Sequence, residues 1–174
     1  MHRPTEIIVT PRLCLRRPVP TDLQALHDNV LSDAAVMALA FAGQPMSPAQ
    51  STEFFGRNFD HDASGKKLGI LIERTTAQFI GFAGLLPCDA LGEADYELGF
   101  VLRRSAWGYG YATEIGRGQI DYGFNVLELR RLLALVSPAN EASATVLQKI
   151  GMKRYSSISR AHRGDRDVYV AQNQ

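Results

Sequence analysis

Residues 107–114 read Trp-Gly-Tyr-Gly-Tyr-Ala-Thr-Glu, between a strand-like run at 96–102 and a helix-like run that lasts to about Leu127. Gly108 and Gly110 lack a Cβ, so a ligand can approach the main chain closely at this turn. The first N–H groups of a helix have no partner within it, and they lie at the positive end of the helix dipole. A glycine-rich turn that opens a helix therefore indicates an anion site, above all for phosphate.

Two other kinds of phosphate-binding turn do not fit this spacing. A P-loop continues from Gly-Lys into Ser or Thr, whereas Gly65-Lys66 is followed by Lys67. A dinucleotide-binding turn needs a third glycine or alanine, where Thr113 stands, and an acidic residue about 20 residues further on. The next strand-like run, at 131–136, ends in Ser137-Pro138 without an acid. An acyl-CoA pyrophosphate turn remains, and the flanking segments favour it.

Five blocks resemble, in order along the chain, the motifs of the GNAT superfamily of N-acetyltransferases. They are TPRLCLR at 10–16, IGFAGL at 80–85, ELGF at 97–100, WGYGYATE at 107–114 and NEASATVLQKIGM at 140–152. The first two are similar to the Rim-type branch, whose members acetylate the N-termini of ribosomal proteins. One position departs from the pattern: Ser105 stands where the superfamily usually has Gln or Arg, and Arg103 and Arg104 are the nearest cations.

This resemblance implies a fold as well as an activity. We expect an α/β chain with a mixed, mostly antiparallel, twisted sheet of about seven strands flanked by helices. Its fourth and fifth strands should splay around acetyl-CoA, the acyl donor. We expect residues 1–174 to form a single N-acetyltransferase domain, and because dimers are common in the superfamily, a homodimer stays open.

The composition fits a small cytoplasmic enzyme. Hydrophobic residues make up 45% of the chain, charged residues make up 21%, and the net charge is +1. That balance gives no electrostatic reason to expect nucleic acid or an anionic membrane as a partner. No run approaches the roughly 18 apolar residues of a membrane span, and no signal peptide is evident. Cys14 and Cys88 lie in apolar runs, which favours reduced thiols, and the four histidines show no paired spacing for a metal.

The resemblance also assigns the contacts to acetyl-CoA. In the superfamily, the strand before the turn offers its main-chain amides to the pantetheine and the thioester carbonyl. The amides of Val101 and Leu102 are the best candidates for the oxyanion contact. The expected cofactor-binding residues are Phe100, Val101, Leu102, Trp107, Gly108, Tyr109, Gly110, Tyr111, Ala112, Thr113, Asn140 and Ser143.

Two side chains are candidates for the catalytic roles. Glu97 shares a strand face with Gly99 and Val101, so its carboxylate can reach the cleft as general base. It can instead anchor the substrate amine, or form an ordinary strand-edge pair with an arginine. Ser143 lies three residues after the expected N-cap Asn140 and can donate to the departing sulfur, or it simply opens the helix. A tyrosine often used as general acid is absent, since Val146 and Leu147 stand there.

The acceptor is expected to be a primary amine, with three readings left open. It is a protein N-terminal α-amine, or a small amine such as an amino acid, polyamine or antibiotic, or the domain binds acyl-CoA without catalysis. The hairpin that carries Arg160, Arg163 and Arg166 is a candidate border of the acceptor site.

Overall fold

The computed structural model of the protein describes residues 5–173. One eight-stranded sheet, in the order β1-β2-β3-β4-β5-β6-β8-β7, runs through it. The strands are β1 (Glu6–Val9), β2 (Leu13–Arg16), β3 (Leu68–Glu73), β4 (Phe79–Cys88), β5 (Asp95–Leu102), β6 (Arg131–Val136), β7 (Lys153–Arg160) and β8 (Gly164–Gln172). Neighbouring strands are antiparallel except β5 and β6, which are parallel. The prediction of about seven strands missed β1, because its four residues are too few to show a clear alternation.

Within residues 5–173, five α-helices cover the sheet. They are α1 (Asp22–Leu26), which continues as a π-helical turn at His27–Leu31, α2 (Ala34–Met37), α3 (Pro48–Asn58), α4 (Tyr111–Asn125) and α5 (Glu141–Lys149). Capping side chains explain where several of them begin. Ser47 and Gln50 form a reciprocal capping box at α3, with Pro48 in the first helical position. No helix within residues 5–173 combines the length and the apolarity that a membrane span requires.

The apolar core lies on both faces of the sheet. On one face, α1 to α3 pack on β3 and β4 around Phe59 and Phe82. On the other face, α4 and α5 pack on the central strands, with Ile115 and Leu147 buried. Both cysteines are free thiols in this structure; Cys14 is buried and Cys88 is half-buried.

The sheet opens between its two parallel strands. β5 and β6 pair only at Glu97 and Leu133. Beyond that pair, residues of both strands line one cavity instead of bonding to each other. This confirms the predicted splay. The predicted sheet lacked β1, so its fourth and fifth strands correspond to β5 and β6.

Candidate active site

A cavity of about 640 Å³ occupies the gap between β5 and β6. Its wall is formed by β5, the glycine turn, the start of α5, the segment from α2 to Phe41, and the β7–β8 hairpin. Thirteen residues had been predicted from the sequence as site residues, and all but Tyr109 line this cavity. The twelve are Glu97, Phe100, Val101, Leu102, Trp107, Gly108, Gly110, Tyr111, Ala112, Thr113, Asn140 and Ser143.

The glycine turn presents free amides to this cavity. Gly108 (φ +81°) and Gly110 (φ +78°) adopt the left-handed backbone that glycine tolerates best. The first N–H bond into α4 runs from Glu114 to the carbonyl of Gly110. No amide from 108 to 113 has a hydrogen-bond partner among the described residues. These donors and the start of a fifteen-residue helix together favour a bound anion.

An ion pair that the sequence reading did not find holds the turn in place. Arg12, between β1 and β2, donates from Nη1 to the carbonyl of Tyr109 at 2.9 Å. Its Nε donates to Glu114 Oε2 at 2.7 Å, and its guanidinium lies 4.7 Å from the centre of the Tyr111 ring. Glu114 also accepts from the Thr10 hydroxyl at 2.6 Å. We call Thr10, Arg12 and Glu114 the turn clamp.

The electrostatics of the turn clamp favour the ionised carboxylate. Burial of Glu114 opposes its ionisation, but the hydrogen bonds from Thr10 and Arg12 outweigh that effect and lower its pKa. The Glu114 side chain is 16% exposed and the Arg12 side chain is 46% exposed, so the pair lies at the surface with its carboxylate turned inward. The turn clamp therefore fixes the first helical turn of α4 beside the free amides.

The aromatic residues of the turn differ in placement. Trp107 donates from its indole N–H to the carbonyl of Leu102 at 3.0 Å, and it is 49% exposed, so it is not a core residue. Tyr109 is 61% exposed and stacks on Tyr111 at 5.8 Å between ring centroids. Tyr109 does not line the cavity, so the structure does not bring this predicted residue to the site.

The two arginines just before the turn point elsewhere. Arg103 donates to Gln78 and Arg104 pairs with Asp33, the N-cap of α2. Neither lines the cavity, so they do not replace the side chain absent at Ser105. Lys149, at the end of α5, is a cation that does line it.

The start of α5 faces the cavity from the β6 side. Asn140 caps the helix, since its Oδ1 accepts the Ser143 amide at 3.1 Å. This bond fixes the first turn of α5, with Ser143 half-buried on the cavity wall. A hydroxyl at this place can donate to an atom held between β5 and α5.

Glu97 lies in the cavity but is not alone there. Its side chain is 14% exposed, and both carboxylate oxygens accept from Arg163, at 3.1 Å each. The strand-edge pairing with an arginine, one of the three roles considered for Glu97, is therefore present in the structure. Each oxygen of an ionised carboxylate has a second lone pair, so an amine can still bind to Glu97.

The β7–β8 hairpin brings a second arginine to the same wall. Arg166 is 7% exposed and donates to the carbonyls of Phe41 and Asp165, at 2.6 and 2.8 Å. Burial, together with the neighbouring Arg163 charge, lowers the pKa of Arg166. Arg160 instead pairs with Asp89 and does not line the cavity. Two of the three hairpin arginines, Arg163 and Arg166, thus line the cavity.

Comparison with known proteins fixes the family. A profile of the acetyltransferase (GNAT) domain matches residues 12–153. The chain belongs to the GNAT acetyltransferase family. It is 31% identical, over 84% of its length and 82% of the relative's, to an uncharacterized N-acetyltransferase, YnaD, of Bacillus subtilis (strain 168).

Solved structures agree on the GNAT fold. An acetyltransferase (GNAT family) from Bacillus anthracis superposes with a TM-score of 0.80 and 26% identity, covering 95% of this chain and 97% of that one. A spermidine N-acetyltransferase from Vibrio cholerae, in complex with CoA and spermine, gives a TM-score of 0.74 at 16% identity over 92% of this chain and 95% of that one. The second likeness concerns the fold alone. This GNAT chain is therefore an acetyl-transferring enzyme with the family's open α/β sheet.

Proposed function

We propose that this GNAT enzyme transfers the acetyl group of acetyl-CoA to a primary amine by direct attack on the thioester. One observation carries the proposal: a single cavity joins the free amides of the glycine turn to Glu97 and Ser143. An anionic donor and an amine acceptor can therefore meet between β5 and β6.

The donor is held mainly by main-chain groups. The amides from 108 to 113 bind the pyrophosphate, and Trp107, Tyr111, Ala112 and Thr113 border it. Pantetheine lies along Phe100 and Val101 in the gap that β6 leaves open, with Asn140 on the opposite side. An amide of Val101 or Leu102 receives the developing oxyanion, a contact typically worth about 3 kcal/mol.

The reaction balances with the groups at hand. The neutral amine nitrogen bonds to the thioester carbon while the carbon–sulfur bond breaks. The amine gives up a proton to the Glu97 carboxylate, directly or through water. The CoA thiolate leaves with a hydrogen bond from the Ser143 hydroxyl and can take up a proton from solvent. A thiol pKa of about 8.5 means that the thiolate needs little further help.

Two kinds of acceptor suit this scheme. The Rim-type block at residues 10–16 favours a protein N-terminal α-amine. A small amine fits the same chemistry, and the charges around Glu97 favour it, as argued below. An α-amine has a pKa of about 8, against about 10.4 for lysine, so a useful fraction is neutral at pH 7.

Calorimetric titration of the full chain with acetyl-CoA tests the proposal, with NADH and ATP as controls. We expect micromolar, selective binding of acetyl-CoA, followed by CoA release when a suitable amine is added. Absence of acetyl-CoA binding, or a preference for NADH, would refute the donor site. Acetyl-CoA binding without amine-dependent CoA release from a broad amine library would indicate a domain that binds acyl-CoA without catalysis.

A further inference from the structure

The charges that line the cavity are mostly positive. Among the described residues of its wall, Lys149, Arg163 and Arg166 are cationic and Glu97 is the one carboxylate. Arg163 occupies both oxygens of that carboxylate. A polycationic acceptor such as a polyamine would therefore meet repulsion rather than a complementary surface.

Arg163 is too far from the glycine turn to serve the CoA phosphates, and Arg166 is close enough to Arg163 and Glu97 to feel their charges. Arg163 contacts Glu97, near the start of β5, whereas the turn follows the end of the strand at Leu102. Five residues of extended chain separate these points, roughly 16 Å at the usual rise per residue. The charges of these two arginines thus belong to the Glu97 end of the cavity, which is the proposed acceptor end.

Arg166 is a buried cation without a carboxylate partner among the residues described. Both of its hydrogen bonds end on neutral main-chain carbonyls, and a guanidinium has five N–H donors. Arg163 adds a buried Nε for which the described structure offers no acceptor. A buried charge and a buried donor without an acceptor both raise the free energy of the folded state. An anion bound beside Arg163 and Arg166 would remove both of these unfavourable terms.

The surroundings of this corner are apolar. Arg166 donates to the carbonyl of Phe41, and the Phe41 ring stacks on Phe82 at 6.2 Å between ring centroids. Val36 and Leu86 belong to the same apolar cluster as Phe41 and also line the cavity. An acceptor that fits here has an apolar body next to its charged groups.

We propose that the acceptor is a zwitterion, an amine that also carries a carboxylate, with an apolar side chain. Its ammonium or amine binds at Glu97, and its carboxylate binds the guanidinium groups of Arg166 and Arg163. Glu97 and Arg163 are in direct contact, which matches the adjacent amino and carboxylate groups of an α-amino acid. This assignment rests on the proposed function and specifies its substrate class.

Matched acceptors test the assignment. The probes are L-phenylalanine, L-phenylalaninamide, phenethylamine, spermidine and a short peptide amide, each with the full chain saturated in acetyl-CoA. CoA release gives kcat/KM, which is expressed per neutral amine to remove differences in amine pKa. Because hydrogen bonds to a charged group are strong, we expect phenylalanine to be preferred over its amide by roughly tenfold to a hundredfold.

Substitution of the buried arginine completes the test. Arg166→Met keeps an apolar stem and removes the charge, so the ratio of phenylalanine to phenylalaninamide should fall toward one. The affinity for acetyl-CoA should stay unchanged. Arg166→Lys keeps the positive charge and serves as a second variant if Arg166→Met does not fold. It should retain part of the preference for phenylalanine over phenylalaninamide. Arg160→Met is the matched control in the same hairpin, because Arg160 pairs with Asp89 outside the cavity, and it should leave the ratio unchanged.

The outcomes separate this inference from the proposed function. A chain that does not bind acetyl-CoA refutes both. A chain that binds acetyl-CoA and acetylates spermidine, phenethylamine or the peptide amide at least as well as phenylalanine refutes only the zwitterion. Acetyl-CoA binding without acetylation of any of the proteinogenic amino acids also refutes it, as does an Arg166→Met chain that keeps the full ratio.

Discussion

Arg163 donates from both of its Nη groups to the carboxylate of Glu97, although the two residues lie 66 positions apart in the chain. The contact joins the first residues of β5 to the turn between β7 and β8. It places a cation directly beside the group proposed as general base. The same carboxylate is thus positioned by the hairpin that we propose as the acceptor end of the cavity.

Removal of the Glu97 charge tests its role in the reaction. We expect Glu97→Gln to lower kcat by roughly 10²- to 10⁴-fold, the range typical of a lost general base. The calorimetric affinity for acetyl-CoA should be unchanged, because the donor binds to main-chain groups. A variant that raises KM and keeps kcat would instead assign Glu97 to anchoring the amine.

Glu93→Gln is the matched control for that experiment. Glu93 also pairs with an arginine, Arg131, but its side chain is 63% exposed and lies outside the cavity. Its substitution should leave kcat and KM unchanged. Wild-type turnover in Glu97→Gln would exclude Glu97 as the base.

The turn clamp provides a second prediction. Arg12→Met removes the bonds to the Tyr109 carbonyl and to Glu114, so the turn should lose its fixed position. Because these bonds preorganise the amides rather than touch the donor, we expect the Kd for acetyl-CoA to rise by roughly tenfold, about 1.4 kcal/mol. Arg57→Met, which breaks an exposed pair with Glu53 on α3, should leave the Kd unchanged. Equal affinities in the two variants would remove Arg12 from the donor site.

The local features of this fold were predictable from the sequence. Gly110, the Asn140 cap and the Ser47 capping box depend on residues within four positions, so their spacing indicates the structure directly. Family resemblance added the mixed, mostly antiparallel sheet and the gap between β5 and β6. The short β1 was missed because its pairing partner, not its own pattern, makes it a strand.

The contacts that complete the site could not be predicted in this way. Arg12 and Glu114 are 102 residues apart, and no local pattern connects them. The hairpin arginines were recognised as a candidate border, but only the fold turns Arg163 and Arg166 inward and leaves Arg160 with Asp89. The direction of the Tyr109 ring likewise depends on the stacking against Tyr111.

Two glycine substitutions should have opposite effects on stability. Gly110 needs a left-handed backbone at φ +78°, so Gly110→Ala should destabilise the fold by about 1–2 kcal/mol and weaken acetyl-CoA binding. A Cβ there would meet only Arg12 Nη2, at 3.6 Å, so the cost is conformational rather than steric. Gly56, exposed in the last turn of α3, has open space around it, and Gly56→Ala should stabilise by about 0.4–1 kcal/mol. Urea unfolding of both variants measures these free energies, and a stabilised Gly110→Ala would contradict the left-handed turn.

The turn clamp should also respond to acid. The hydrogen bonds from Thr10 and Arg12 lower the pKa of Glu114 below its ordinary value of 4.5, despite the opposing effect of burial. The folded state therefore binds this proton less readily than the unfolded state does. The stabilisation is fully present above pH 4.5 and is lost as the pH falls through the lowered pKa. Glu114→Gln lacks this titration, so its deficit in free energy of unfolding should shrink as the pH falls from 7 to about 3. Thr10→Val removes one donor and should show a smaller change of the same sign. Urea unfolding across that range measures the three curves, and parallel curves for the wild type and Glu114→Gln would show that the turn clamp adds no charge-dependent stability.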